Sequence, residues 1–335
     1  MRMAQKIITA GDRVYLKFFD LEFFHKKAEE GGAELFPFRG LDEAEFKDAI
    51  EDADALVVID RPITESHIDR LRSCKIILAL EVGYDFIDVE AATKKGIIVS
   101  NVPSYCSNQV AVHAVSLLLA VQRKIKILTE ETRKGGWNYN ICSPLFDLEG
   151  GVLGIIGLGK IGRRIVPKAK GFGMDVIAYD PYLHDDIFSL VGVQRCYELA
   201  DLLKRADFIT LHVPLTGETF HMIGGKEVEM MKKGAIVINT CRGKVIDEKA
   251  LHEGLASGKL GGAGLDVLEN EPPDTKNPLL NMDTAVVTPH VAWYSEESME
   301  RLKHQGMDEV VRVLRGKRPW YAVNPEVLYR KETRG

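Results

Sequence analysis

Cysteine is scarce and unpatterned in this chain: Cys74, Cys106, Cys142, Cys196 and Cys241 are odd in number, scattered, and form no Cys-x-x-Cys pair. That argues against a disulfide scaffold and offers no metal-ligand spacing, so the thiols read as reduced and no metal is expected. A basic excess is lacking too, since 44 Lys and Arg stand against 49 Asp and Glu, a formal charge of −5. With no cationic cluster to neutralise a row of phosphates, nucleic acid is not expected as a partner. Long hydrophobic runs are missing as well. The longest mostly apolar stretch, 111–121, is interrupted by His113 and Ser116, and it is too short to span about 30 Å of hydrocarbon. Residues 1–13 hold no apolar signal core. No membrane association is indicated, and a soluble, cytoplasmic protein is expected.

What is present is a chain of 335 residues, 45% hydrophobic and 28% charged, which at about 150 residues per domain predicts two globular domains. Short apolar runs alternate with helical patterns, the signature of parallel strands joined by crossover helices, so the fold class is α/β. The runs predict strands over 6–10, 55–59, 75–80 and 97–102, with helical stretches at 41–50 and 64–71, a small sheet of its own. Residues 107–134 read as one long hinge helix between the domains, with Val110, Ala114, Leu117, Leu118, Val121 and Ile125 at helical spacing. A second series follows, with strands over 152–156, 175–179, 207–213, 235–240, 262–267 and 285–288 and helices over 160–172, 198–205 and 248–256. Six strands in this order fit a doubly wound nucleotide fold. A last amphipathic helix from Ser295 places Met299, Leu302, Val310, Val313 and Leu314 on one side and ends near Gly316. If it packs back on the first domain, that domain is split in sequence.

Gly157-Leu158-Gly159-Lys160-Ile161-Gly162 follows the apolar run 152–156 directly and opens a helical pattern, which is the context a dinucleotide fingerprint requires. The first glycine permits the tight turn, the second lets backbone approach a pyrophosphate, and the third lets helix and strand pack closely. The helix N-terminus offers unpaired N–H groups to the anion. Asp180 closes the next apolar run. A carboxylate there accepts both ribose hydroxyls and repels a 2′-phosphate, so NAD is favoured over NADP; taken alone, Asp180 reads better as a helix or turn cap before Pro181.

Three further segments end at strand termini, where an open α/β sheet places its ligands: Asn239-Thr240-Cys241-Arg242-Gly243, the run 265–273, and Thr288-Pro289-His290. Moving hydride between a nicotinamide and a carbonyl needs a proton donor at the carbonyl oxygen, and histidine suits both directions. A carboxylate bonded to that imidazole raises its pKa and fixes its orientation. An arginine fork matches the two oxygens of a carboxylate substrate. His290, Glu271 and Arg242 fill these roles together, although each alone reads as a loop or surface residue. His113 and His212 read as packed or backbone-bonded rings.

The segments 154–162, Tyr179-Asp180-Pro181, Leu211-His212-Val213-Pro214-Leu215-Thr216, Asn239-Thr240-Cys241-Arg242-Gly243, 266–272 and Thr288-Pro289-His290 resemble, in order, the signatures of the D-isomer-specific 2-hydroxyacid dehydrogenase family. The resemblance runs over nearly the whole chain. It implies two Rossmann-like domains with an active-site cleft between them, 1–105 with 296–335 for substrate and 106–295 for NAD. It further implies that Arg242 binds the substrate carboxylate and keto oxygen, that Glu271 pairs with His290, and that His290 is the acid or base. Gly157, Gly159, Lys160, Ile161, Gly162, Asp180, His212, Pro214, Thr219, Thr240, Cys241 and Asp266 would line the NAD site. Val82 and Gly83 would offer N–H groups to the substrate carboxylate in the turn Glu81-Val82-Gly83-Tyr84-Asp85, where Glu81 replaces a frequent glycine. Pointing at the substrate, that carboxylate would repel an anion; pointing outward, it would change nothing. Cys241 stands where a small residue is usual and by size is tolerated.

The stretch His290-Val291-Ala292-Trp293-Tyr294-Ser295-Glu296 with Tyr105-Cys106 resembles the C-terminal-binding-protein branch. This implies Trp293 as a pocket wall suited to apolar keto acids, unless it is a core tryptophan. The expected function is reversible, NAD-linked reduction of a 2-keto acid to a D-2-hydroxy acid; an NAD(H)-sensing binding protein is the alternative. Formate oxidation is disfavoured, since formate dehydrogenases of this superfamily carry Gln at the position of Glu271. A homodimer meeting through 107–137 is implied by the same resemblance.

Overall fold

A computed structural model describes residues 4–11, 20–38, 40 and 42–332. Leu41, expected to open a helix, and parts of the 1–13 stretch lie outside the described residues. The chain divides into two compact units, Met1–Tyr105 with Ser295–Gly335, and Cys106–Tyr294.

The first unit begins with β1 (Gln5–Gly11), α1 (Leu21–Gly31), β2 (Ala33–Phe38), α2 (Glu43–Ile50), β3 (Ala55–Ile59), α3 (Glu65–Arg70), β4 (Ile76–Ala79), α4 (Val89–Lys95) and β5 (Ile98–Ser100). Among the described residues these strands make one five-stranded parallel sheet in the order β2-β1-β3-β4-β5. Aspartates start the helices. The carboxylates of Asp20, Asp42 and Asp88 accept the N–H groups of Phe23, Glu45 and Ala91, satisfying donors that a helix cannot pair internally. β2 escapes the sequence pattern because it is an edge strand holding Pro37, whose missing N–H is harmless only there.

The second unit holds α5 (Ser107–Gln122), α6 (Ile125–Arg133), β6 (Val152–Ile156), α7 (Lys160–Gly171), β7 (Asp175–Tyr179), α8 (Asp185–Val191), β8 (Gln194–Arg195), α9 (Leu199–Arg205), β9 (Phe208–Leu211), α10 (Gly225–Met230), β10 (Ala235–Asn239), α11 (Glu248–Ala256), β11 (Leu260–Leu265) and β12 (Ala285–Val287). Its described strands form a seven-stranded parallel sheet, β12-β11-β10-β9-β6-β7-β8. The six expected strands are joined by β8, two residues long and too short to show a periodicity. Strand order reverses at β6, between β7 and β9, and such a reversal opens the crevice where α/β sheets bind ligands. Side chains alternate across the sheet: Leu153 and Ile155 join one apolar cluster, Ile156, Ile209 and Leu211 the other. The strands are thus buried on both faces, as parallel sheets require.

The single helix expected over 107–134 is instead two. Lys124 adopts φ +52° and ends α5, with its N–H on the carbonyl of Val121 at 3.0 Å. After this break the Lys126 ammonium donates to the carbonyls of Met282 and Ala285, at 2.8 and 3.1 Å.

The chain then returns to the first unit with α12 (Glu296–Leu314) and α13 (Glu326–Glu332). α12 buries Leu302, Met307, Val310, Val313 and Leu314. Gly306 lets it lie so close to Leu80 that a Cβ there would come within 2.2 Å of the leucine side chain. Glu309, fully buried, accepts bonds from the Ser100 hydroxyl and the Trp320 and Tyr321 amides. A buried carboxylate is tolerable only when so supplied with donors. Among the described residues no helix is long and apolar enough to cross a membrane.

Candidate active site

The glycine turn after β6 is dictated by its neighbours. Gly157 takes φ +90°, and a Cβ on it would fall 2.5 Å from the His212 carbonyl oxygen; one on Gly162 would fall 2.3 Å from the Gly157 oxygen. Gly159 differs, because a Cβ there would meet no atom within 4 Å. Its bareness keeps open the space in front of α7, whose N-terminus has no side-chain cap. Asp180, at the end of β7, accepts the Leu158 amide at 3.0 Å and the Tyr182 amide at 3.1 Å. It therefore stands beside the glycine turn with its remaining lone pairs available. Ile161 packs against the apolar cluster beneath α7, while desolvation and the neighbouring Arg163 charge lower the pKa of Lys160.

At the ends of β9 and β10 the same region collects polar atoms that lack protein partners. His212 Nε2 lies 2.8 Å from the Thr210 hydroxyl, but its Nδ1 is buried and unbonded, as is the hydroxyl of Thr240. Burial pushes the His212 ring down to about 3, so it is neutral. Thr219 donates its hydroxyl to the Pro214 carbonyl at 2.6 Å and closes the loop after β9. The Cys241 thiol donates to Asn239 Oδ1 at 3.1 Å, and burial raises its pKa. An open glycine turn, an uncapped helix end, an acceptor at Asp180 and two buried unpaired polar atoms together fit a dinucleotide.

The catalytic candidates lie in the loops after β10, β11 and β12. His290 Nδ1 is 2.6 Å from Glu271 Oε2, and the other oxygen of Glu271 accepts the Leu268 amide at 3.0 Å, fixing the carboxylate at both ends. His290 itself sits at φ +50°, a conformation that non-glycine residues hold only under constraint. The constraint is visible: its N–H donates to the Asp266 carbonyl at 2.8 Å, and its carbonyl accepts the Trp293 indole N–H at 2.7 Å. Burial opposes charge on this ring. The hydrogen bond and negative charge of Glu271 outweigh that, against a smaller contrary effect of Arg242, and the net pKa is raised. The ring keeps 27% of its side chain exposed, so a reactant can reach it.

Asp266, 1% exposed, uses both carboxylate oxygens on this loop. It accepts the Thr288 hydroxyl at 2.6 Å and the amides of Val291 and Ala292 at 3.0 and 2.8 Å. Burial opposes its charge, but the His113 ring, 3.4 Å away, together with these bonds lowers its pKa and keeps it ionised. His113, expected to be packed or backbone-bonded, instead reaches the Thr288 hydroxyl at 2.9 Å. Arg242 leaves the end of β10 in a turn tied by Asn239, whose side chain donates to the Arg242 carbonyl at 2.9 Å and accepts the Cys241 amide at 3.0 Å.

Sequence reasoning missed His221, Glu248 and Glu269, which form a polar cluster beside these loops, and Arg195, which donates to the Asp180 carbonyl at 3.3 Å. No motif marks His221, Glu248 or Arg195; Glu269 falls inside the segment 266–272, but the sequence assigns it no role there. Val82 and Gly83 belong to the first unit, at the tip of β4, where the Asn101 side chain donates to the Val82 carbonyl at 2.6 Å. There Glu81 turns its carboxylate to the Asp60 amide, at 3.1 Å, with Asp60 at φ +49°.

The model of the NAD binding domain of D-isomer specific 2-hydroxyacid dehydrogenases matches residues 115–292. The chain is 44% identical over 286 residues to the D-3-phosphoglycerate dehydrogenase of Methanocaldococcus jannaschii, which covers 85% of this chain and 54% of that protein. It therefore spans about half the length of that relative. Identity is 36% over 334 residues to the glyoxylate reductase of Thermococcus litoralis, 97% of either chain. Among solved structures, a glyoxylate reductase from Paecilomyes thermophila superposes with a TM-score of 0.87 at 28% identity, over 97% of this chain and 99% of that one. The D-lactate dehydrogenase of Aquifex aeolicus, solved with NAD and lactic acid, gives 0.83 at 29% identity, over 97% of this chain and 98% of that one.

Proposed function

Because the chain belongs to the D-isomer specific 2-hydroxyacid dehydrogenase family, with an NAD-binding domain at its centre, we propose that it reduces a 2-keto acid reversibly to the D-2-hydroxy acid. Bound in the second unit, the nicotinamide supplies or accepts the hydride. Gly157, Gly159, Lys160, Ile161 and Gly162 frame the pyrophosphate, Asp180 takes the ribose hydroxyls, and His212, Pro214, Thr219, Thr240, Cys241 and Asp266 line the remainder. Everything else in the reaction falls to this chain's own residues. Arg242 holds the substrate carboxylate and polarises the carbonyl. His290 donates a proton to the carbonyl oxygen in reduction and takes it back in oxidation, and Glu271 stabilises the charged imidazole. Val82 and Gly83 add backbone donors for the carboxylate, and Trp293 gives an apolar wall for the substrate tail.

The observation that carries this reading is the 2.6 Å contact between His290 and Glu271 in the unit that holds the glycine turn. A carboxylate there raises the pKa of the ring and so favours the protonated form that reduction needs. The relatives described above carry the names of dehydrogenases and reductases, and no observation favours the NAD(H)-sensing binding protein. Free cysteines and a diffusible cofactor suit a reducing, cytoplasmic setting, and a homodimer is the assembly we infer. The test is NADH consumption with a panel of 2-keto acids, followed by chiral analysis of the product. Turnover giving the D-isomer is expected; tight NADH binding without turnover of any keto acid would overturn the proposal.

A further inference from the structure

The loops that carry Arg242 and Glu271 touch through their backbones and are joined a second time by side chains to which the sequence assigns no role. A Cβ on Gly243 would fall 1.9 Å from the Leu268 carbonyl carbon and 2.4 Å from the Glu269 nitrogen, so the two chains lie in direct contact. Alongside, Glu269 and Glu248 exchange bonds: Glu269 Oε1 accepts the Glu248 amide at 3.1 Å, and Glu248 Oε1 accepts the Glu269 amide. The second oxygen of Glu248 takes the Asn277 side-chain amide at 2.8 Å.

Beside Glu269 stands the His221 ring, its buried Nε2 2.9 Å from Glu269 Oε1, a close contact of ring and carboxylate outside hydrogen-bond geometry. The ring is stacked on Phe220 at 4.1 Å, and the residue is held at φ +49°. Its own amide donates to the Lys244 carbonyl at 2.8 Å, two residues beyond Arg242. His221 therefore grips the Arg242 loop with its backbone and the Glu271 loop with its ring.

We propose that Glu269 and His221 are positioning residues that clamp the loop after β11 onto the loop after β10, and so set where Glu271 meets His290 relative to Arg242. This rests on the catalytic reading given above. Neither residue touches the reacting atoms; each acts through the loop it holds. A displacement of about an ångström in such a constellation costs up to roughly a hundredfold in rate.

The test uses the full chain in Glu269→Ala and Glu269→Gln forms, the latter keeping an oxygen for the Glu248 amide while losing the charge that faces His221. The groups acting on His290 are Glu271, Arg242 and Asp266, so a shift in its titration reports their placement. His290 is titrated by NMR in the NAD complex, which needs no turnover, and kcat and KM are measured alongside. Glu269→Ala is expected to lower the midpoint in the direction of Glu271→Gln and to cut kcat about tenfold, with NADH binding changed less than about twofold. Glu269→Gln should fall between this variant and wild type. In a Glu271→Gln background Glu269→Ala should add little, since coupled residues are not additive. Midpoints unmoved in both Glu269 variants, or effects that multiply in the double variant, would overturn the clamp. A moved midpoint in a protein that turns over no keto acid would uphold the clamp and remove the catalytic reading.

Discussion

His290 feels two opposed influences, and the stronger can be removed by changing one atom. Burial disfavours its charged form, while Glu271 at 2.6 Å favours it and leaves the pKa raised. A raised pKa keeps the ring protonated, and reduction running, until the pH climbs through that folded-state value. Glu271→Gln keeps the shape but loses the charge, so the alkaline limb of the reduction profile is expected to move to lower pH, and a pH series of kcat/KM checks it. A profile that does not move would take Glu271 out of the mechanism. His290, Glu271 and Arg242 could be named from the sequence only as a set, since each alone reads as a loop or surface residue and it is their joint chemistry past successive apolar runs that singles them out. The contact of His221 with Glu269 could not be read there, because it needs only a ring and a charge at the right distance, and distance across loops leaves no trace in spacing. The Asp60–Glu81 contact escaped for the same reason: the glutamate was visible as a departure, its partner was not.

At the scale of elements, the two glycine-bearing turns make separable predictions. A Cβ at Gly162 would meet the Gly157 oxygen at 2.3 Å, and one at Gly243 would meet Leu268 backbone; backbone cannot step aside as a flexible side chain can. Gly162→Ala is therefore expected to weaken NADH binding by about tenfold or more, since it distorts the turn at the start of α7. Gly243→Ala should leave NADH binding nearly intact and lower kcat, since it parts Arg242 from Glu271. Fluorescence titration with NADH and steady-state kinetics of the two variants decide between these outcomes. Identical profiles would show that the turns are not separate devices. The central strands and long helices of both sheets were readable from apolar runs and caps. The exceptions are physically intelligible: β2 is an edge strand with a proline, β8 spans two residues, and the break at Lys124 costs only one residue in the left-handed region.

Across the whole molecule, the apolar surface is unevenly distributed. α5 commits Ala111, Ala114, Leu117, Leu118 and Val121 to its own unit's core, whereas α6 buries none of its residues. Beyond it Trp137 is 90% exposed, Tyr139 78% and Phe146 72%. Aromatics so open to water, following a helix with Ile125 half exposed, are the residue types that dominate the energetics of subunit interfaces. Hydrophobic periodicity predicted helix in this stretch but not that half of it would bury nothing, because the pattern alone does not say which apolar face the chain itself covers. Light scattering coupled to gel filtration is expected to give twice the chain mass for the wild type. In the homodimer inferred above, replacing both aromatics, Trp137→Glu with Phe146→Glu, would remove two anchors each typically worth about 2 kcal/mol and set like charges against each other. The double variant should run as a monomer at micromolar concentration with its NADH affinity preserved. A monomeric wild type, or a dimer indifferent to both charges, would place the interface elsewhere or nowhere.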